Sequence, residues 1–185
     1  MGTPKQLLKW GNSTLLANAI QTVLKLSVKE VIVVLGANYD AIKKEIDHFP
    51  ITILNNKNWQ KGLGKSLAFG IEYIESSNQN IDSCLLALAD QPLIDAEFLN
   101  NLIVAYYENN NSIIATAYKE GKYGVPVIFD KQHFKELLTL NDDKGAKHIL
   151  DKHKLSVKTL IPKQDNVDLD LKAEYDALHK KKFES

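Results

Sequence analysis

Two groups of carboxylates in this chain could hold a cation. Asp90 directly follows an apolar run, in the stretch CLLALADQPL over residues 84–93. Asp168 and Asp170 alternate within DNVDLD over 165–170, and strand-like spacing would place both on one face. Magnesium takes one or two carboxylates from a protein and completes its shell with water and phosphate oxygens. The pattern therefore indicates a magnesium site anchored by Asp90, with a simple turn at Asp90 and a solvated acidic loop at 165–170 as the alternatives.

Lys5 and the loop over residues 62–66 could contact an anion. Lys5 follows Pro4 on a turn, and a lysine beside a phosphate site supplies a mobile point charge. The loop reads GLGKS and opens a helix, whose free N–H groups favour an anion. It is not the nucleotide phosphate loop, because Trp59 stands where that motif needs a glycine. A solvated lysine and a plain tight turn with a helix cap are the alternatives.

Alternating strands and helices must position these groups. Apolar runs bounded by turn residues predict strands over 28–35, 51–54, 84–89, 112–118, 126–129 and 155–161. Helical spacing predicts helices over 14–26, 39–48, 62–74, 96–108, 131–138, 146–152 and 173–182. This alternation predicts one α/β domain over 1–185, with helices on both faces of a mostly parallel sheet. Asp90 would then lie at the carboxyl end of a strand buried on both faces, where open α/β sheets bind ligands.

Composition narrows the class of protein. Of 185 residues, 44% are hydrophobic, and 23 basic residues balance 23 acidic ones. This balance leaves no electrostatic footprint for nucleic acid or a membrane surface, and no apolar stretch approaches the roughly 20 residues of a membrane span. The single cysteine, Cys84, lies in an apolar run and predicts a buried thiol. We therefore expect a cytoplasmic protein that does not bind nucleic acid or membranes.

Zinc and acyl-transfer chemistry are disfavoured by the local sequence. Acyl transfer lacks its Gly-x-Ser-x-Gly elbow. No set of cysteines and histidines has the full spacing of a zinc site, because the chain has one cysteine and a single pair of histidines at ligand spacing, His148 and His153. The histidines are His48, His133, His148, His153 and His179.

Several short motifs run in order along the chain. They read MGTPKQLL over 1–8, GLGKSL over 62–67, ADQPL over 89–93, YGVPVIF over 123–129, DDKGA over 142–146 and DLD over 168–170. The first resembles the second half of the signature small-Ala-Gly-x-Ser-x-Arg-Met-Gly-x-x-Lys. Each piece is weak alone, but together they cover nearly the whole chain. The set resembles the nucleotidyltransferases of the MobA-like family, most closely the molybdenum cofactor cytidylyltransferase branch.

This resemblance implies a three-layer, Rossmann-like fold of the nucleotide-diphospho-sugar transferase type. The implied reaction is magnesium-dependent transfer of CMP from CTP to a small phosphorylated acceptor, molybdopterin or the molybdenum cofactor, with release of pyrophosphate. The resemblance also implies a molybdoenzyme or chaperone as a protein partner. It assigns catalysis to Lys5 and Asp90 and metal binding to Asp90, Asp168 and Asp170. The implied nucleotide-binding residues are Gly2, Lys5, Gly62, Gly64, Ser66 and Asp90.

Departures from the family pattern keep two rivals open. The chain begins at the methionine of the signature, so the family's first strand and half of its phosphate loop are missing from the sequence. A sheet without that strand would expose apolar faces and unpaired backbone, which favours a misplaced start codon or a truncated chain. Val125 replaces a polar residue, which bears on substrate choice, and Leu171-Lys172 replaces Thr-Pro. The rivals are a guanylyltransferase of the same family and a degenerate, non-catalytic nucleotide-binding protein.

Overall fold

Helices and strands alternate along the chain, as predicted. The computed structural model describes residues 4–77, 79–109, 113–141, 143, 145–163, 169 and 171–184. The helices are α1 (Leu15–Val23), α2 (Tyr39–Ile46), α3 (Leu63–Ser76), α4 (Ala96–Asn109), α5 (Phe134–Leu137), α6 (Lys147–Lys152) and α7 (Lys172–Phe183). The strands are β1 (Lys9–Trp10), β2 (Ser13–Thr14), β3 (Ile32–Leu35), β4 (Thr52–Asn55), β5 (Ser83–Leu86), β6 (Ile113–Ala117), β7 (Tyr123–Asp130) and β8 (Val157–Leu160).

The larger sheet has four strands in the order β5-β7-β6-β8. Strand β7 is antiparallel to both β5 and β6, and β8 is parallel to β6. Three of its strands, β5, β6 and β8, therefore share one direction, and β7 opposes them. A separate parallel pair is formed by β3 and β4, and a short antiparallel pair by β1 and β2. The prediction of an α/β fold with a mostly parallel sheet is confirmed.

Helices cover both faces of the four-stranded sheet. Successive side chains of a strand point to opposite faces, and the two apolar cores follow this alternation. Ile113 and Ala115 belong to the core under α3, α5 and α6, whereas Ile114 belongs to the core under α4. Phe129 and Ile128 of β7 divide in the same way. The predicted three-layer arrangement follows directly from this division.

A cleft separates the β3–β4 pair from the four-stranded sheet. Among the described residues, no backbone ladder joins β3 to β5. The space between them is a cavity of about 1220 Å³, lined by Ile32, Val33, Cys84, Leu85 and neighbouring apolar side chains. Unpaired strand edges in a sheet interior are costly, because their N–H and C=O groups lose partners. Among the described residues, β3 and β5 therefore each keep one edge without a ladder on this cavity.

The strand before Asp90 is shorter than the sequence predicts. The prediction was 84–89, but β5 ends at Leu86, four residues before Asp90. In the register with β7, Ala87 would face Pro126, which has no N–H to donate to the ladder. Asp90 therefore lies in a turn beyond the strand and not at its end. Strand β5 is also mostly half-buried and antiparallel to β7, not buried between parallel neighbours.

Other element boundaries also differ from prediction. The strand predicted over 28–35 begins at Ile32, because its partner β4 begins at Thr52. The helix predicted over 131–138 is a 3-10 turn, Lys131–His133, followed by α5. The side chain of Asp130 accepts a hydrogen bond from the Gln132 N–H and fixes that tight first turn. Across the described ranges, every helix is too short or too polar to cross a membrane.

Candidate functional site

Lys5 and Asp90 form an ion pair at one end of the cleft. Pro4 starts a 3-10 turn, Lys5–Leu7, in which the Leu7 N–H donates to the Pro4 carbonyl at 2.9 Å. This turn presents Lys5, and its Nζ lies 2.7 Å from Oδ2 of Asp90. The side chains are 28% and 21% exposed, so water still reaches the pair. The structure thus brings together a cation and an anion that are distant in sequence.

Two further oxygen atoms of Asp90 bear on the site, its backbone carbonyl oxygen and its carboxylate atom Oδ1. Its backbone carbonyl accepts a hydrogen bond from the Leu169 N–H at 3.1 Å. Its carboxylate atom Oδ1 is buried and has no hydrogen-bond partner among the described residues. A buried carboxylate oxygen that lacks a partner suits a hard divalent cation, which prefers oxygen ligands. Asp168 and Asp170 lie outside the described residues, although Leu169 between them contacts the Asp90 turn.

The loop over 62–66 is built as a tight entry into α3. Gly62 has φ 96°, a left-handed conformation that only glycine adopts readily, and α3 begins at the next residue. Gly64 is buried in the first turn of the helix. The Ser66 hydroxyl accepts a hydrogen bond from Nδ2 of Asn56 at 3.0 Å. Asn56 is 1% exposed, and its Oδ1 accepts a hydrogen bond from the Asn58 N–H. Asn56 therefore fixes the loop against the end of β4.

The cleft unites most of the predicted site residues. Its wall includes Lys5, Gly62, Ser66 and Asp90, together with the turn that follows β3 at Gly36. Its volume of about 1220 Å³ exceeds the roughly 300–1000 Å³ of ordinary small-ligand pockets, because it includes the apolar gap between β3 and β5. Gly64 supports the loop from within, and Gly2 lies outside the described residues. The ends of β3 and β5 and the entry to α3 therefore converge on one cavity.

Residues that were not predicted as site residues hold the Asp90 turn in place. Gln91 is 5% exposed, and its Nε2 donates to the Tyr118 hydroxyl at 3.0 Å and to the Val125 carbonyl at 3.3 Å. The Tyr118 hydroxyl itself donates to the Val125 carbonyl. These bonds tie the Asp90 turn to β7. The signal available in the sequence was Gln91 itself, an amide side chain directly after Asp90.

An aromatic ring stands at the rim of the cleft. Trp59 is 41% exposed and packs against the backbone of Gly36, where an added Cβ would lie 2.4 Å from the Trp59 Cβ. Its exposed ring offers a stacking surface beside the cavity.

Cys84 lines the apolar wall of the cleft. The structure confirms that this cysteine is a buried free thiol. Burial raises its pKa to about 12, with a weaker opposing effect from a hydrogen bond to the Phe129 backbone. The thiol is therefore protonated at neutral pH and is a poor nucleophile.

Comparisons with known sequences identify the domain. The MobA-like NTP transferase domain matches residues 1–157. Nicotine blue oxidoreductase of Paenarthrobacter nicotinovorans is 30% identical over 131 residues, which are 69% of this chain and 62% of that protein. Purine catabolism protein PucB of Bacillus subtilis is 27% identical over 124 residues, 65% of this chain and 58% of that protein. The chain spans about three fifths of the length of these curated relatives.

A solved structure shares the fold over nearly the whole chain. Rv0371c of Mycobacterium tuberculosis, in a complex with manganese, superposes with a TM-score of 0.82 at 22% identity. The match covers 97% of this chain and 93% of that one, which confirms the predicted Rossmann-like fold. The family match over residues 1–157 includes the Lys5 turn, the 62–66 loop and β5. This protein therefore belongs to the MobA-like NTP transferase family.

Proposed function

We propose that this protein is a metal-dependent nucleotidyltransferase that transfers CMP from CTP to a molybdopterin-type acceptor. The observation that carries the proposal is the pairing of Lys5 with Asp90, 2.7 Å apart, at the cleft that also holds the 62–66 loop. A triphosphate bound with a divalent cation needs both signs of charge within one cavity.

Each residue has a defined task in this reaction. An oxygen of the acceptor's phosphate attacks the α-phosphorus of the nucleotide, and the bond to the β-phosphate breaks to release pyrophosphate. Lys5 leaves Asp90 and neutralises charge on the triphosphate oxygens. Gly62 and Ser66 contact the base or the acceptor at the entry to α3. Catalysis here consists of positioning and charge neutralisation, and no side chain becomes covalently attached.

Asp90 is the proposed metal ligand, with help from Asp168 or Asp170. The buried Oδ1 of Asp90 supplies one oxygen, and Leu169, whose N–H donates to the Asp90 carbonyl, lies between the two proposed helper residues in the sequence. When bound, Mg²⁺ or Mn²⁺ would neutralise phosphate charge as a Lewis acid. The manganese complex of Rv0371c is a precedent for divalent metal use in this fold.

The described contacts also support a single domain over 1–185, although the family match ends at 157. The Tyr175 hydroxyl of α7 donates to the Lys9 carbonyl. Trp10 packs edge-on against Phe183 with ring centroids 5.1 Å apart. We propose that α7 closes the same unit that begins with β1.

Nucleotide binding and pyrophosphate release test the proposal together. The full chain is titrated with CTP and with GTP in the presence of Mg²⁺, and pyrophosphate is measured after a molybdopterin-type acceptor is added. Binding of CTP and acceptor-dependent release are expected, and Asp90→Asn should abolish release. Asp176→Asn is the matched control, because it breaks an exposed aspartate–lysine pair of 2.8 Å on α7. Normal release by Asp90→Asn would refute the metal role of Asp90.

The same assays distinguish the rival functions. Tight preference for GTP would favour a guanylyltransferase, and nucleotide binding without turnover would favour a non-catalytic binder. The relative from Paenarthrobacter is named an oxidoreductase. Thiol-based redox chemistry is disfavoured for this cleft, because burial keeps Cys84 protonated.

A further inference from the structure

A second polar cluster lies away from the Lys5–Asp90 cleft. His133 ends the 3-10 turn before α5, Glu136 lies on α5, and His153 follows the last residue of α6. His133 and Glu136 are three residues apart and so share one side of the helical segment. None of the three lines the cleft that contains the proposed nucleotide site. Since His153 follows a different helix, only the fold brings the cluster together.

The geometry of this cluster is that of a metal site. Each of His133, Glu136 and His153 offers one ligand atom, and these atoms all lie within 4.8 Å of one another. Nε2 of His153 is 3.1 Å and 3.0 Å from the two carboxylate oxygens of Glu136. The two imidazole rings have centroids 4.7 Å apart. Tetrahedral bonds of about 2.1 Å place neighbouring ligand atoms about 3.4 Å apart, so small side-chain shifts suffice.

An independent observation points to a ligand at this cluster. His133 is 6% exposed, and its Nε2 is buried with no hydrogen-bond partner among the described residues. A buried ring nitrogen without a partner is costly, and coordination of a metal by its lone pair would remove that cost. A purely structural histidine at this burial would be expected to use both ring nitrogens in hydrogen bonds.

We propose that His133, Glu136 and His153 bind a divalent transition metal ion, with zinc as the best-fitting ion. Two imidazole nitrogens and one carboxylate are borderline ligands that suit Zn²⁺ and its first-row neighbours and disfavour Mg²⁺ and Ca²⁺, which take oxygen ligands. This site is distinct from the all-carboxylate site proposed at Asp90. It also qualifies the expectation that zinc binding is disfavoured, because local spacing could not reveal a pair contributed by two separate helices.

The site has a structural consequence for the cleft. A metal bound here clips α5 to the end of α6 and so closes the chain segment between them. That segment carries Gly145, where an added Cβ would lie 3.2 Å from the Leu63 side chain at the start of α3. It also carries Asp143, which lines the cleft. The clip therefore braces a loop that borders the proposed nucleotide site.

Lys152 is the competitor for the metal. Its Nζ lies 3.2 Å from Oε1 of Glu136, and its side chain is 63% exposed. An exposed lysine can swing away at little cost, but its positive charge opposes a bound cation. Removal of this charge should strengthen metal binding, a gain that a simple histidine–glutamate ion pair does not predict.

Metal titration of the full chain tests the proposal. We expect one Zn²⁺ bound through this cluster per chain, and a tetrahedral visible spectrum when Co²⁺ replaces it. Glu136→Gln and His153→Gln should weaken zinc binding more than about ten-fold. His148→Gln is the matched control, because this exposed histidine lies on α6 outside the cluster. Lys152→Gln should bind zinc more tightly than the unsubstituted chain.

Thermal unfolding with and without zinc completes the test and separates the two metal sites. Zinc should raise the Tm of the unsubstituted chain, of His148→Gln and of Asp90→Asn, but not that of His153→Gln. Asp90→Asn should also keep the tetrahedral Co²⁺ spectrum, whatever its effect on nucleotidyl transfer. Equal zinc affinity in Glu136→Gln, His153→Gln and the unsubstituted chain would overturn the proposal, as would no zinc binding at all.

Discussion

The ion pair between Lys5 and Asp90 should stabilise the fold measurably and also restrain metal binding. Two unit charges 2.7 Å apart attract with about 6 kcal/mol at an effective dielectric constant of about 20. Desolvation offsets most of this, because the side chains are only 28% and 21% exposed. The net value should fall between the roughly 0–1 kcal/mol of exposed pairs and the 3–5 kcal/mol lost when a buried pair is broken. We expect a coupling of about 1–2 kcal/mol.

A double-mutant cycle in urea measures this coupling. The variants are Lys5→Gln, Asp90→Asn and their combination, and the free energy of unfolding is compared at one pH and ionic strength. The pair Lys172 and Asp176, 2.8 Å apart and more than half exposed, is the control. Its coupling should be about 0.3–0.5 kcal/mol. A coupling for Lys5 and Asp90 no larger than that of the control would refute the reasoning.

The same variants separate the two charges in function. Lys5→Gln leaves Oδ2 of Asp90 without its cation, so Mn²⁺ binding without nucleotide should tighten about five-fold, equivalent to about 1 kcal/mol. It should weaken nucleotide binding, because a positive charge is lost from the cleft. Asp90→Asn should weaken both. Manganese titration followed by electron paramagnetic resonance distinguishes these outcomes, and weaker Mn²⁺ binding by Lys5→Gln would contradict the proposed competition.

Three further predictions concern the surroundings of the site. Gly36→Ala should destabilise the chain by about 1–3 kcal/mol in urea unfolding, because the added Cβ would lie 2.4 Å from the Trp59 side chain. The control is Gly70→Ala, whose nearest contact would be at 3.4 Å and which should be neutral or stabilising. The buried thiol of Cys84, with a pKa of about 12, should react with a disulfide reagent at pH 8 only as fast as the chain opens; immediate reaction in the folded state would contradict its burial. Burial, followed by the charge of His153, lowers the pKa of His133, so the unfolded chain takes up its proton first as pH falls. The free energy of unfolding, measured with a chelator present, should therefore decline below about pH 6.5. This group contributes at most about 1.4 kcal/mol per pH unit to the decline, and His133→Gln should flatten it.

The order of elements was predictable because it depends on local periodicity. The apolar spacing in α1 and the runs in β3 and β5 are short-range signals, and the division of the core between Ile113 and Ile114 follows from strand alternation alone. Strand ends were less predictable. Leu86 ends β5 because the register with β7 brings Ala87 opposite a proline, and register is a tertiary property.

Candidate site residues could be proposed from the sequence, but their contacts could not. Asp90 and Lys5 were identified by residue type and local setting, yet nothing local indicated that they would touch. The metal-site geometry of His133 and His153 was not predicted, for the same reason. Its two rings come from the turn before α5 and from the residue after α6, and spacing rules detect only ligands that lie near each other in sequence.

Asp90 shows why a turn and a functional site need not be alternatives. The sequence left open whether this residue merely forms a turn or binds a ligand, and the structure places it in a turn. That turn ends the strand early, directs the carboxylate to Lys5 and the cleft, and presents the backbone carbonyl to Leu169. Asparagine forms such turns as readily as aspartate but carries no charge. Asp90→Asn therefore removes the proposed chemistry while it keeps the turn, so loss of activity with a Tm no lower than that of Lys5→Gln, which breaks the same ion pair, would assign the role to the charge itself.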